Sequence, residues 1–210
     1  MKNMTIIALA ALIGACSPNQ KGSVEIELPF YTSADLTPRW IDEPTDTVHT
    51  IDPFSFVNQN GDTITEEAYQ GKVYVANFFF TICPGVCPKM NGNLLLVQDE
   101  FQESGEVQIL SYSVMPWVDS VAQLHTYALR NDINPDMWNL VTGDKADIYR
   151  LARESYFADE GFGKQVTSAE DFLHTEKLIL IDQHSRIRGI YNGTLPLDVK
   201  RMMDDIRQLL

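Results

Sequence analysis

Hydrophobic and polar positions along the chain alternate between patterns typical of strands and of helices. Residues 72–80 (KVYVANFFF) are apolar on both faces, which predicts a central strand covered on both sides. A helix is predicted directly after it, because apolar side chains recur at helical spacing at Met90, Leu94, Val97 and Phe101. This strand, the turn and the helix make the first unit of an alternating chain.

Further elements follow the same logic to the end of the chain. They are a strand at 107–114, a helix containing Val121, Leu124 and Ala128 with Asp119 or Ser120 as its cap, a strand at 138–141, a helix capped by Asp144, strands at 177–181 and 187–191, and a final helix containing Val199, Met202, Ile206 and Leu209. Before them, 24–30 alternates like a strand, and Asn58–Gly61 predicts a hairpin turn. The expected fold is an α/β sandwich, in which one mixed sheet is flanked by helices and extended by an N-terminal hairpin.

The N-terminal residues have the character of an export signal. Lys2 precedes an apolar run at 5–13 that is too short to span a bilayer. The run ends in IGAC, which resembles a bacterial lipoprotein signal in which Cys16 receives the lipid; an ordinary cleaved signal is the alternative. The expected organisation is a signal peptide at 1–15, a lipidated N-terminus and linker at 16–45, and a folded domain at 46–210. The domain is then expected outside the cytoplasm, on the periplasmic side, anchored to a membrane by lipid.

The charge balance narrows the range of partners. With 16 basic and 29 acidic residues, the chain carries a formal net charge of −13 and has no basic run. These charges disfavour a nucleic-acid partner on electrostatic grounds. An acidic surface suits a cationic cargo or a basic protein partner, and it also serves solubility alone.

Two cysteines at the end of the strand 72–80 are the candidates for chemistry. If Cys16 carries lipid, only Cys83 and Cys87 remain as thiols, in the segment TICPGVCPKM at 81–90. Pro88 suits the first helical position, which would place Cys87 at the N-cap, where the helix dipole favours a thiolate. Paired thiolates select Cu(I), but the same pair could form a redox disulfide, and the spacing does not decide between them.

A wider set of motifs resembles the Sco/SenC family. The resemblance extends from about Pro53 to the C-terminus and includes FFFTICPGVCPKM, the segment 138–143 (WNLVTG) and the segment 174–182 (HTEKLILID). It implies a thioredoxin fold that binds one copper ion, as Cu(I) or Cu(II), through Cys83, Cys87 and His174. It also implies a role in assembling the binuclear copper site of cytochrome c oxidase subunit II.

Two positions depart from related patterns. Thioredoxins usually place a cis-proline where this chain has Leu173-His174-Thr175, so the imidazole of His174 is expected to face the thiols. Many Sco/SenC proteins carry Asp-Pro after the third strand, where this chain has Met115-Pro116. We expect Met115 to pack at a strand end, with a soft axial ligand as the alternative.

Three functions fit these features. The first is a copper metallochaperone that passes its ion to an oxidase subunit without covalent turnover. The second is a thiol–disulfide oxidoreductase that uses Cys83 and Cys87 to keep target cysteines reduced. The third is a peroxiredoxin-like peroxidase, against which the paired thiols and the opposed His174 argue.

Overall fold

A computed structural model of the chain describes residues 27–42, 48–158 and 175–210. Cys16 and His174 lie outside the described residues, as does most of the predicted signal and linker. Within the described ranges, no helix has the length and apolar character needed to cross a membrane.

One mixed sheet of seven strands forms the centre of the described part. The strands are β1 (Ser55–Asn58), β2 (Thr63–Thr65), β3 (Val73–Phe79), β4 (Val107–Ser113), β5 (Trp138–Thr142), β6 (Lys177–Ile181) and β7 (Ile187–Asn192). Their order across the sheet is β2-β1-β5-β4-β3-β6-β7. The β3, β4 and β5 strands run parallel, whereas the hairpin β1–β2 and the pair β6–β7 add antiparallel strands at the two sides.

Helices cover both faces of this sheet, as the alternating pattern predicted. They are α1 (Val86–Phe101), α2 (Val121–Arg130), α3 (Lys145–Arg150), which continues into a π-helical turn at Leu151–Ser155, and α4 (Pro196–Leu209); a short 3₁₀ helix spans Glu66–Tyr69. Behind α3, Tyr156 bonds through its hydroxyl to Tyr74 (3.1 Å) and Tyr112 (3.0 Å) on one sheet face. Leu94 of α1 is fully buried on the other face.

Local signals in the sequence account for the turns and caps. At the β1–β2 turn the Asn58 side chain accepts hydrogen bonds from two backbone amides, and Gly61 takes φ +87°, which a residue without Cβ adopts freely. Ser120 caps α2 by accepting from the Gln123 amide, and Asp144 caps α3. The choice left open between Asp119 and Ser120 is therefore decided for Ser120.

The strand expected at 24–30 is absent from its described part. Residues 27–30 contribute only an isolated bridge between Phe30 and Arg39. Pro29 and Pro38 cannot donate to a sheet ladder, so this stretch cannot continue as a strand. Leu28 and Phe30 are instead buried against the rest of the domain.

The parallel strands bring three loops to one edge of the sheet. Phe79 pairs with Ser113, and Tyr112 pairs with Val141, so β3, β4 and β5 end at the same level. The cysteine segment follows β3 at this edge, where ligands commonly bind in open α/β sheets.

A buried ion pair holds the N-terminal segment at the opposite edge. The Arg188 guanidinium contacts the Asp182 carboxylate at 3.2 Å and donates to the carbonyls of Leu28 (2.7 Å) and Pro29 (3.2 Å). It also lies over the Phe30 ring, 4.0 Å from the centroid. Only 12% of the Arg188 side chain and 3% of the Asp182 side chain are exposed, so each charge depends on its partner.

Arg188→Ala should lower the free energy of unfolding by about 3 kcal/mol, because it leaves the Asp182 carboxylate buried without its cation. It should also expose residues 27–42 to protease. Urea denaturation and limited proteolysis measure the two effects. Arg201→Ala is the matched control, since its pair with Asp198 has an Arg side chain that is 71% exposed, and it should cost less than about 1 kcal/mol. Equal losses in the two variants would contradict the anchoring role.

Candidate metal centre

The helix α1 begins earlier than the proline pattern predicted. Gly85 is the N-cap, with φ −113° and ψ −99°, and the first helical residue is Val86. Cys87 therefore lies in the first turn, and the prediction that it is the N-cap was wrong. Pro88 is tolerated there because amides in the first helical turn have no intrahelical partner to lose.

The loop before the helix brings the two thiols together. The Cys83 amide donates to the Phe80 carbonyl at 3.2 Å, which turns the chain back towards α1. Both cysteines are free thiols, and their side chains are within hydrogen-bonding contact. Cys83 is half-buried, whereas Cys87 is 4% exposed.

Their environments separate the acidities of the two thiols. Burial and, to a smaller extent, the hydrogen bond to Cys83 together raise the pKa of Cys87 to about 12. Burial also acts to raise the pKa of Cys83, but hydrogen bonds from the Cys87 side chain and from the backbone amides of Cys87, Gly85 and Val86 outweigh it and lower that pKa. The helix terminus thus favours a thiolate at Cys83, not at Cys87 as the N-cap argument predicted.

A wall of aromatic side chains lies beside Cys87 and closes one side of the site. The Tyr127 ring of α2 lies 5.6 Å from the Phe79 ring. Burial, together with the nearby Cys87 and Cys83, raises the pKa of Tyr127 to about 12, so it remains a neutral phenol beside the thiols. Behind this wall the Trp138 indole donates to the Ser111 hydroxyl at 2.8 Å. Neither Tyr127 nor Ser111 was singled out from the sequence.

Asp119 is the buried group that connects the cysteine loop to its neighbour. Its carboxylate is fully buried and accepts hydrogen bonds from the Thr81 amide (3.1 Å), the Thr81 hydroxyl (2.6 Å) and the Ser113 hydroxyl (2.6 Å). Gln123 donates to the same Thr81 hydroxyl at 3.1 Å. Sequence reasoning considered Asp119 only as a helix cap. Its place just after the end of β4, at the edge where β3 also ends, was the signal for this role.

The other predicted positions separate into two groups. Cys83 and Cys87 are brought together, whereas Cys16 and His174 lie outside the described residues. In the described part of the chain, no cluster of three or more His, Cys, Asp or Glu side chains is arranged to hold a metal ion. Met115 is half-buried and packs against the core, as expected for a residue at a strand end.

The remaining histidines occupy structural or surface positions. His49 lies within 2.7 Å of the Ser155 carbonyl and stacks on Phe157. His125 on α2 and His184 in the β6–β7 turn are exposed. These placements agree with the structural or surface roles assigned to them.

The fold and the paired thiols define a thioredoxin-like α/β protein with a reduced CxxxC site. A family model described as SCO1/SenC matches residues 42–210, and the chain belongs to that family. A curated relative, the SCO1 protein homolog of Bacillus subtilis, is 28% identical over 159 residues, which cover 75% of this chain and 81% of the relative.

Solved structures support the same relation. A SCO1/SenC family lipoprotein from Bacillus anthracis has a TM-score of 0.67 and 28% identity, with 81% of this chain and 99% of that chain covered. BsSco, a member of the Sco family of cytochrome c oxidase assembly proteins in which a disulfide switch was identified, has a TM-score of 0.65 and 27% identity over 80% of this chain and 96% of its own. The mixed sheet flanked by four helices in the described part matches these Sco structures.

A third structure contains the metal. ScoI of Bradyrhizobium japonicum with copper bound has a TM-score of 0.60 and 25% identity, with 77% of this chain and 99% of that chain covered. The expected thioredoxin-like fold and family are thus confirmed.

In the reduced, metal-free protein, Cys83 should react with iodoacetamide at least tenfold faster than Cys87 at neutral pH. Cys83 has the lowered pKa and the more exposed sulfur, and thiolates are the reactive species. Mass spectrometry of timed samples, with each cysteine assigned by peptide, measures both rates. Equal rates, or a faster Cys87, would refute the assigned asymmetry.

Asp119→Asn should loosen the cysteine loop. The two oxygens of the carboxylate accept three hydrogen bonds, whereas an amide has only one acceptor oxygen for the same three donors. We expect a loss of about 1–3 kcal/mol in the free energy of unfolding. Alkylation of Cys87 should also become faster under native conditions. Asp147→Asn, at a carboxylate that is 62% exposed, is the control and should change neither quantity. Unchanged Cys87 reactivity in Asp119→Asn would show that the loop holds its shape without this carboxylate.

Proposed function

We propose that this protein is an extracytoplasmic copper metallochaperone that delivers copper to the binuclear copper site of cytochrome c oxidase subunit II. The observation that carries the proposal is the pair of adjacent thiols at the sheet edge, of which Cys83 is the more accessible and has a lowered pKa, whereas Cys87 is buried. Family membership supports it, as do the copper-bound ScoI structure and the assignment of BsSco to oxidase assembly.

Copper is the cargo in this function, and the two sulfurs suit it. Thiolates are soft donors that favour Cu(I), and binding displaces the protons that the thiols carry. Cys87 presents a buried sulfur on a rigid helix, whereas Cys83 presents a more accessible one on a loop. An incoming ligand from a partner can therefore replace Cys83 first, which suits a protein that must both hold and release an ion.

We propose His174 as the third ligand. The described chain resumes at Thr175, one residue later, and Thr175 is buried. The antiparallel register that pairs Ala76 with Ile179 brings the beginning of β6 to the level at which β3 ends. A residue just before β6 is thus only a few positions in sequence from the sheet edge that carries the thiols. An imidazole there would complete a three-coordinate site and matter more to Cu(II) than to Cu(I).

We also propose that Cys16 is lipidated and anchors the folded domain outside the cytoplasm, with the signal at 1–15, the linker at 16–45 and the domain at 46–210. The IGAC sequence supports this, as does the relation to the Bacillus anthracis lipoprotein. Detergent phase partitioning should place the mature protein in the detergent phase and Cys16→Ala in the aqueous phase. Aqueous partitioning of both would refute the lipid anchor.

A thiol–disulfide oxidoreductase is the second candidate, favoured by the unequal acidities of the thiols. The Cys83 thiolate would attack a target disulfide, form a mixed disulfide and release one target thiolate. Cys87 would then lose its proton and attack the Cys83 sulfur, closing the Cys83–Cys87 disulfide and releasing the reduced target. Burial keeps Cys87 protonated in the reduced pair, so in either function its proton must leave as the sulfur reacts. The metallochaperone is the leading proposal because the family includes a ScoI structure with copper bound.

His174→Ala separates the two candidates, because copper binding uses three side chains and disulfide exchange needs only two. The variant should lose most Cu(II) binding and hold Cu(I) more weakly, while the Cys83–Cys87 disulfide still forms and is reduced. Cys83→Ser and Cys87→Ser should lose both properties. Chelator competition and mass spectrometry of the oxidised protein provide the measurements.

The matched control for this experiment is His184→Ala, which removes an exposed imidazole from the β6–β7 turn and should leave copper binding intact. In cells, a metallochaperone predicts that His174→Ala loses oxidase assembly as fully as the cysteine variants do. A reductase predicts that it stays nearly active. Wild-type affinity of purified His174→Ala for both copper ions would rule out the proposed ligand set.

A further inference from the structure

Two large apolar side chains are exposed beside the thiols. Ile82, directly before Cys83, is 56% exposed, and Trp117, in the loop after β4, is 61% exposed. The bonds from Thr81 to Asp119 tie these two loops together, so Ile82 and Trp117 project from the same edge of the sheet. We call Ile82, Trp117, Lys89 and Lys145 the rim of the site.

The rim differs in charge from the rest of the chain. The chain has 29 acidic residues, yet the segments 80–93 and 114–118 contain none. The charged side chains of the rim are the exposed Lys89 and the half-buried Lys145. The Lys145 ammonium lies 5.1 Å from the centre of the Trp117 ring, a distance at which a cation and an indole attract each other. Within these two loops an apolar, weakly basic patch thus lies beside the thiols of a strongly acidic protein, with the exposed Asp144, next to Lys145, at its margin.

The N-terminal segment of the chain does not cover this rim in the described residues. Residues 27–30 are held by Arg188 at the opposite edge, near the beginning of β7. The seven residues of β3 separate the two edges by about 20 Å. The proposed lipid anchor would therefore leave the domain at the end away from the thiols, and the described N-terminal residues leave the rim uncovered.

We propose that the rim is the docking surface for the protein that receives copper, and that Trp117 is its anchor. The partner surface that fits it is apolar at the centre and ringed by acidic side chains around its own copper ligands. Exposed Trp residues often dominate binding when a partner buries them, and charge complementarity speeds association. Because 80–93 and 114–118 contain no acidic residue, these two loops add no like-charge repulsion when such a surface approaches. This inference rests on the proposed function and adds the chemistry of the partner.

The test uses the full chain, loaded with Cu(I), and metal-free cytochrome c oxidase subunit II as the probe. Trp117→Ala should weaken binding to the probe at least about tenfold and slow copper transfer to the same extent. Lys145→Glu should slow association at low salt and approach the wild-type rate as salt rises. Chelator competition should show that both variants hold Cu(I) as tightly as the wild type, since neither residue is a proposed ligand.

Leu129→Ala is the matched control, because Leu129 is 69% exposed and lies on the face of α2 opposite to Tyr127, away from the thiols. It should transfer copper at the wild-type rate. If Trp117→Ala transfers copper at the wild-type rate, the proposed docking surface is wrong, but the proposed recipient is not. A wild-type protein that transfers no copper to the probe would overturn the proposed recipient and the docking surface with it.

Two other occupants of the rim have distinct signatures in the same experiment. A concentration-dependent dimer of the wild type that Trp117→Ala abolishes would assign the rim to a second copy of this chain. A urea midpoint for Trp117→Ala that is lowered as far as that of Arg188→Ala, as expected for a buried aromatic, would mean that the chain itself covers the indole. Either result would overturn the proposal.

Discussion

The geometry of the thiol site depends on the hydrogen bonds that the buried carboxylate of Asp119 accepts. The β3 and β4 strands end at the same level, which brings two loops side by side, but backbone pairing stops at Phe79 and Ser113. Beyond that point Asp119 holds Thr81 by its amide and its hydroxyl and also binds Ser113. A fully buried carboxylate needs such donors to compensate for the loss of water, so the loop conformation and the burial of the charge support each other.

The unequal acidities of the thiols follow from this arrangement. With Thr81 held, the chain turns back at Phe80, and the amides of the first turn of α1 point at the Cys83 sulfur. Cys87 lies in the first turn of the helix and is buried beside Tyr127, and this burial keeps its proton firmly bound. One sulfur is thereby prepared to exchange partners while the other stays within the rigid part of the domain. This division suits the capture of a metal ion and its release through the more accessible sulfur.

The two edges of the sheet have different tasks. At one edge, loops from parallel strands carry the thiols and an apolar rim, and the segments 80–93 and 114–118 contain no acidic residue in an otherwise acidic chain. At the other edge, Arg188 and Asp182 bury a pair of charges and hold the N-terminal segment through its carbonyl groups. The length of β3 separates the attachment of the segment from the chemistry, so movement of one need not disturb the other.

Periodicity and local chemistry in the sequence determined the strands, the helices, the hairpin turn at Gly61 and the caps Ser120 and Asp144, because these depend on neighbouring residues. The same sequence identified Cys83 and Cys87 as a pair through their spacing. It did not reveal the roles of Asp119 and Arg188, nor which thiol is the more acidic. Those properties depend on groups that are distant in the chain and meet only when the sheet aligns its strand ends. A pKa, a buried ion pair and a bridge between loops depend on that three-dimensional proximity. Local periodicity in the sequence carries no information about it.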